Sequence, residues 1–102
     1  MTLRYLTFTA DDDGGDRGCW EAMASTPHAA LPEVRQEIAA VLRWAEQHAP
    51  GPQGPEEDGG TWDVFSHTQD EGRWVTVTVT LTGPLAWGAS LLARFAPPDS
   101  GD

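Results

Sequence analysis

Apolar and polar residues alternate in four stretches of this chain and recur at helical spacing in two others. From Thr2 to Ala10, Leu6 and Phe8 lie on one side of an extended backbone and Leu3, Tyr5, Thr7 and Thr9 on the other, which predicts a strand. The run Asp11-Asp12-Asp13-Gly14-Gly15-Asp16-Arg17-Gly18 then reverses the chain, because glycine tolerates positive φ and aspartate bonds its own backbone. Alternation resumes over Cys19–Ser25, with Trp20, Ala22 and Ala24 opposite Glu21, Met23 and Ser25. A hairpin with a long acidic tip is expected.

Thr26-Pro27 ends that strand, and Pro32 suits the first turn of a helix, where its missing N–H is not needed. At helical spacing, Leu31, Val34, Ile38, Val41, Leu42 and Ala45 share one apolar stripe with Gln36, Arg43 and Gln47 opposite, so a helix is expected from Leu31 to His48. Trp44 falls beside the stripe, at the core edge or toward the next loop. Ala49 to Gly60 has no periodicity and is rich in glycine and proline, which predicts a mobile acidic connection. A second hairpin follows. Thr61–Thr68 puts Trp62 and Val64 on one face and Asp63, Phe65 and His67 on the other, and Gln69–Gly72 reads as the turn. In Arg73–Thr82, Val75, Val77, Val79 and Leu81 oppose Trp74, Thr76, Thr78, Thr80 and Thr82. After Gly83-Pro84, Leu85, Gly88, Leu92 and Phe95 form a second helical stripe that Pro97-Pro98 ends.

The element order ββαββα predicts a two-layer α+β fold: a four-stranded, mainly antiparallel sheet with both helices packed on one face. That face carries Leu6, Phe8, Trp20, Val64, Val75, Val77, Val79 and Leu81. Residues 1–98 make one domain and 99–102 a frayed C-terminal tail. Strand order does not follow from the pattern.

Composition narrows the classes. Sixteen Asp and Glu against six basic residues, all arginine, give a formal net charge of −10, which repels nucleic-acid backbones and anionic lipid alike. No nucleic-acid or membrane partner is therefore expected. No run approaches the roughly eighteen apolar residues of a membrane span, and Met1–Ala10 lacks the pattern of a secretion signal. The single Cys19 forms no internal disulfide, so a reducing cytoplasm is the expected location. Absence of lysine and asparagine, with abundant alanine, glycine, proline and arginine, is the usage of a GC-rich bacterial genome.

The segments W-E-A-M-A-S at Trp20–Ser25, G-P-E-E-D-G-G-T-W-D at Gly54–Asp63 and V-T-V-T-L-T-G-P at Val77–Pro84 resemble a small uncharacterised proteobacterial family of unknown function. The resemblance spans most of the chain. It implies no activity, substrate or catalytic residue.

Candidate chemistry is sparse. The acidic tip fails as a calcium loop: counted from Asp11, Gly15 stands at position 5, Asp16 where the invariant glycine belongs and Ala22 where the bidentate glutamate belongs. Whether the acidic loops 11–16 and 56–58 converge on a cation is left open. Cys19, His28, His48 and His67 lie in four separate elements without zinc-ligand spacing, so no metal and no cofactor is expected. Ser66 and His67 are adjacent in a strand and their side chains diverge. Nucleophile-elbow, phosphate-loop and dinucleotide-binding patterns are all missing. A catalytic role is disfavoured, with no catalytic residue to nominate.

The face opposite the helices is more informative. Tyr5, Met23, Phe65, His67 and Trp74, alternating with Thr76 and Thr78, are expected to meet water together and form a partner-binding surface. The leading expectation is a non-catalytic protein-interaction module using this open sheet face, a second copy of the chain being one such partner. A first alternative is a small-molecule binder or enzyme with a pocket near the sheet edge, the 49–60 loop and Trp44 or Trp62. A second is an acidic chaperone or inhibitor of a basic partner.

Overall fold

A computed structural model describes residues 3–12 and 15–95. Four strands, β1 (Thr7–Asp12), β2 (Arg17–Pro27), β3 (Asp63–Glu71) and β4 (Trp74–Pro84), and two helices, α1 (Leu31–Gln47) and α2 (Leu85–Phe95), follow in the order ββαββα. The strands form one antiparallel sheet in the order β1-β2-β4-β3. The two hairpins are thus joined through their second strands, and β1 and β3 form the edges. Both helices pack over β2 and β4 on a single face, the expected α+β architecture.

The central strands carry the core because their inward positions are apolar. Trp20, Ala22 and Ala24 of β2 and Val75, Val77, Val79 and Leu81 of β4 are all buried. The third strand differs. Of its residues on the helix side, Val64 is half-buried and Ser66, Thr68 and Asp70 are exposed, so β3 extends past the helical layer. A strand with one apolar inward residue gains little from a central place, which explains its position at the edge.

In α1 the apolar stripe closes over the sheet as its spacing predicts, with Val34, Val41 and Ala45 buried and Leu31, Ile38 and Leu42 half-buried. Pro32 sits in the first turn, after a single 3-10 turn at His28–Ala30. The helix stops at His48, whose N–H (3.0 Å) and ring Nδ1 (2.9 Å) both donate to the Trp44 carbonyl. In α2 the inward residues are Trp87, Gly88, Leu91 and Phe95, so Trp87 and Leu91 join the stripe and Leu92 is only half-buried. Trp87 ties three elements together: its ring meets Trp20 edge-on at 5.9 Å and Trp62 at 5.5 Å, and its Nε1 donates to the Ala45 carbonyl at 3.3 Å. Gly88 is required there, since a Cβ would lie 1.7 Å from Trp20 Cζ2.

Several expectations need correction. The first strand begins at Thr7, because the Glu37 carboxylate of α1 accepts the backbone N–H groups of Arg4 (2.7 Å), Tyr5 (3.1 Å) and Leu6 (3.0 Å) and draws that segment off the sheet. Leu6 is buried, but beneath α1 and not as a strand residue. The third strand runs on to Glu71, and the turn is the dipeptide Gly72-Arg73 with Gly72 at φ +83°. Pro84 ends β4 instead of opening α2. The 49–60 connection is tied down: Asp58 and Gly60 N–H donate to the Pro55 carbonyl, Thr61 N–H to Pro52 and Gly54 N–H to Trp62. The tip at Asp13-Gly14, the Pro97-Pro98 stop and the 99–102 tail lie outside the described residues.

Candidate functional site

Residues aligned across the register share a face, so the side of the sheet away from the helices can be read row by row. One row is Thr9, Glu21, Thr80 and Phe65, and the next is Thr7, Met23, Thr78 and His67. Beyond them come Ser25, Thr76 and Gln69, then Pro27, Trp74 and Glu71. No residue of these rows is buried. Six of the seven residues expected to form a binding surface, Met23, Phe65, His67, Trp74, Thr76 and Thr78, therefore lie on one uncovered face.

Tyr5 does not join them. With its backbone held by Glu37, its hydroxyl donates to Glu33 Oε2 at 2.6 Å, which places the ring beside α1 on the opposite flank. That bond to a carboxylate, then desolvation and the Glu33 charge, raise the phenol pKa.

Among the described residues, the large hydrophobic side chains left exposed are Met23 (45%), Phe65 (69%) and Trp74 (49%), all on this face. They do not make one apolar patch. Met23 and Phe65 stand on strands separated by β4, about 10 Å apart across the sheet, with Thr78 and Thr80 between them. Trp74 lies four residues along β4 from Thr78, beyond Thr76, whose hydroxyl is 2.6 Å from Glu71 Oε1 and 3.1 Å from Ser25 Oγ. The surface is a threonine floor with three apolar projections. Among the described residues its charges are mainly acidic: Asp11, Glu21, Asp63 and Glu71 occupy the same face by register, against the single cation Arg17 at the start of β2.

Other clusters bear on the alternatives. Trp62 is 3% exposed and offers no ring to a ligand beside the 49–60 connection. Trp44 instead stacks on His48 at 4.4 Å and meets Phe95 edge-on at 6.2 Å, lining with Arg43 and Arg94 an open hollow of about 250 Å³. Arg4, Tyr5, Glu33, Gln36 and Glu37 border a second hollow of about 350 Å³. Cys19 lies on the open face, and burial, followed by the Glu21 and Asp11 charges, pushes its thiol pKa up, away from nucleophile chemistry. The described residues contain no group of three His, Cys, Asp or Glu able to hold a metal ion, and no described helix is long and apolar enough to cross a membrane. The first acidic loop contains Asp13 and Gly14, and its approach to 56–58 falls outside the description.

Ser66 and Thr68, both exposed at inward positions of β3, were not among the expected site residues. Their signal is visible in the sequence: polar side chains at the inward positions of β3, where β4 has valines. Comparison with protein-family models, with curated proteins and with solved structures finds no match to this chain.

Proposed function

We propose that this chain is a non-catalytic binding module that receives a protein partner on the uncovered sheet face. One observation carries the proposal: the three large apolar side chains left in water among the described residues all fall on the one sheet face that no helix covers. Sheets exposed on one face normally present polar residues there, and threonine meets that need without help from Phe65, Trp74 or Met23. Isolated aromatics on a polar floor suit anchoring, since a few buried aromatics dominate the affinity of protein interfaces.

Charge selects the kind of partner. With four carboxylates against one arginine on the face and a net charge of −10, a cationic surface is attracted, whereas a second copy or a nucleic acid meets like charge. The same acidity suits a module that masks a basic partner. We place it in a bacterial cytoplasm, where Cys19 stays a thiol.

The test is affinity capture from bacterial lysate with the wild type, Phe65→Ser and Trp74→Ser, accompanied by light scattering. A defined basic partner, lost with either substitution while the melting temperature holds, is the expected result. A monomer whose captured proteins are the same for all three chains overturns the proposal.

A further inference from the structure

The open face ends at β3, and from Ser66 to Asp70 the outer backbone edge of that strand has no hydrogen-bond partner among the described residues. In a two-residue hairpin the flanking residues, here Glu71 and Trp74, form the hydrogen-bonded pair, and bonded and non-bonded pairs alternate from there. Phe65, His67 and Gln69 therefore direct N–H and C=O toward β4, while Ser66, Thr68 and Asp70 direct theirs off the sheet. Two bonds agree with this phase. Val64 N–H donates to the Asp63 carboxylate at 2.9 Å, and the Trp62 carbonyl, two residues earlier, accepts Gly54 N–H at 2.8 Å. Gln53 pairs with Trp62 as an isolated parallel bridge, so the chain's own loop already occupies this edge and leaves it where β3 begins.

Beyond that point Val64–Gln69 contains no proline and no charge, no helix among the described residues covers its edge, and Phe65 to Glu71 are exposed. Carboxylates mark the two ends, Asp63 on one side and Asp70 and Glu71 on the other. A second copy would bring the same net charge of −10 to this edge. The matching occupant is an extended segment, uncharged at its centre and cationic at its ends.

We propose that β3 takes up an extended, cationic-ended segment of a partner protein as a fifth strand of the sheet. This rests on the reading of the open face as partner-binding, and it specifies the partner: its backbone pairs with Ser66, Thr68 and Asp70 while alternate side chains reach Phe65 and His67.

The probe is a synthetic seven-residue peptide of alternating threonine and valine with lysine at each end, titrated into the full chain at low salt. Saturable binding is expected, with the amide resonances of Ser66, Thr68 and Asp70 shifting and becoming protected from exchange. N-methylating alternate peptide residues along the pairing edge should weaken binding about tenfold, as should Thr68→Pro, whose lost N–H is not part of the β4 ladder. Absence of binding, equal affinity of the N-methylated peptide, or shifts confined to Met23 and Trp74 each overturn the proposal. The two readings separate with the captured partner. Loss of capture with Trp74→Ser but not Thr68→Pro overturns strand addition and leaves the face reading standing, whereas loss with both supports strand addition.

Discussion

Glu37 is 8% exposed, yet its carboxylate accepts three successive backbone N–H groups from the N-terminal segment. Alternation over Thr2–Ala10 was legible as strand periodicity, but periodicity carries no information about a carboxylate more than thirty residues away. The strand yielded at Leu6 because buried N–H groups without partners are costly and a carboxylate is a strong acceptor for them. Glu37→Gln keeps the shape but turns amide donors toward backbone donors. Chemical denaturation should show a loss of about 2 kcal/mol, with faster amide exchange at Leu6. Cys19 offers a second test at this scale. Because its thiol pKa is raised, the native state holds the proton more tightly than the unfolded chain. Its contribution to stability is intact below the ordinary value of 9.0 and lost as pH climbs through the raised one. Alkylation by iodoacetamide at pH 8 should run slower than for an unfolded control, and Cys19→Ser should flatten the fall in stability above pH 9.

At the scale of elements, all six regular segments were readable, since each buries one stripe or one alternating face and leaves a period in the sequence. Ends were less legible. Gln69-Asp70-Glu71-Gly72 has turn composition, but Gly72 at φ +83° followed by Arg73 makes a shorter turn and adds three residues to the expected strand. His28 helps hold that end: its Nε2 donates to the Gly72 carbonyl at 2.9 Å and lies 3.2 Å from Asp70 Oδ1. The resulting β3 makes a sharp prediction for hydrogen exchange. Amides of Phe65, His67 and Gln69, bonded to β4, should exchange slowly, and those of Ser66 and Thr68 fast. Uniform protection along β3 would contradict the alternation on which strand addition depends. The candidate face was legible to the same degree as the strands, because the register left Met23, Phe65, His67 and Trp74 on the side their alternation implies. Tyr5 was lost with the segment that carried it.

At the scale of the molecule, charge and layering dominate. Among the described residues two α-helices serve a four-stranded sheet, and they pack over β2 and β4, so the opposite face carries no helix and β1 and β3 form its edges. The formal charge of −10 acts on stability as well as on partner choice, since carboxylates crowded on a small fold repel one another. Raising sodium chloride from about 0.02 to 0.5 M screens that repulsion. Tm is expected to rise by about 4 °C or more, roughly 1 kcal/mol for a domain of this size, whereas capture of a cationic partner should weaken over the same range.

Periodicity, turn residues and charge are local properties, so the six elements, the inward faces of the central strands and of α1, and the acidity of the surface could be read along the chain, whereas the inward stripe of α2 was read only in part. Neighbour relations are not local. Placement of β2 against β4, closure of Trp87 between Trp20 and Trp62, and capture of the N-terminal segment by Glu37 depend on which distant groups meet once the core closes. Those contacts took Tyr5 away from the sheet and left β3 at its edge, because burial and hydrogen-bond satisfaction are met over the folded molecule and not residue by residue.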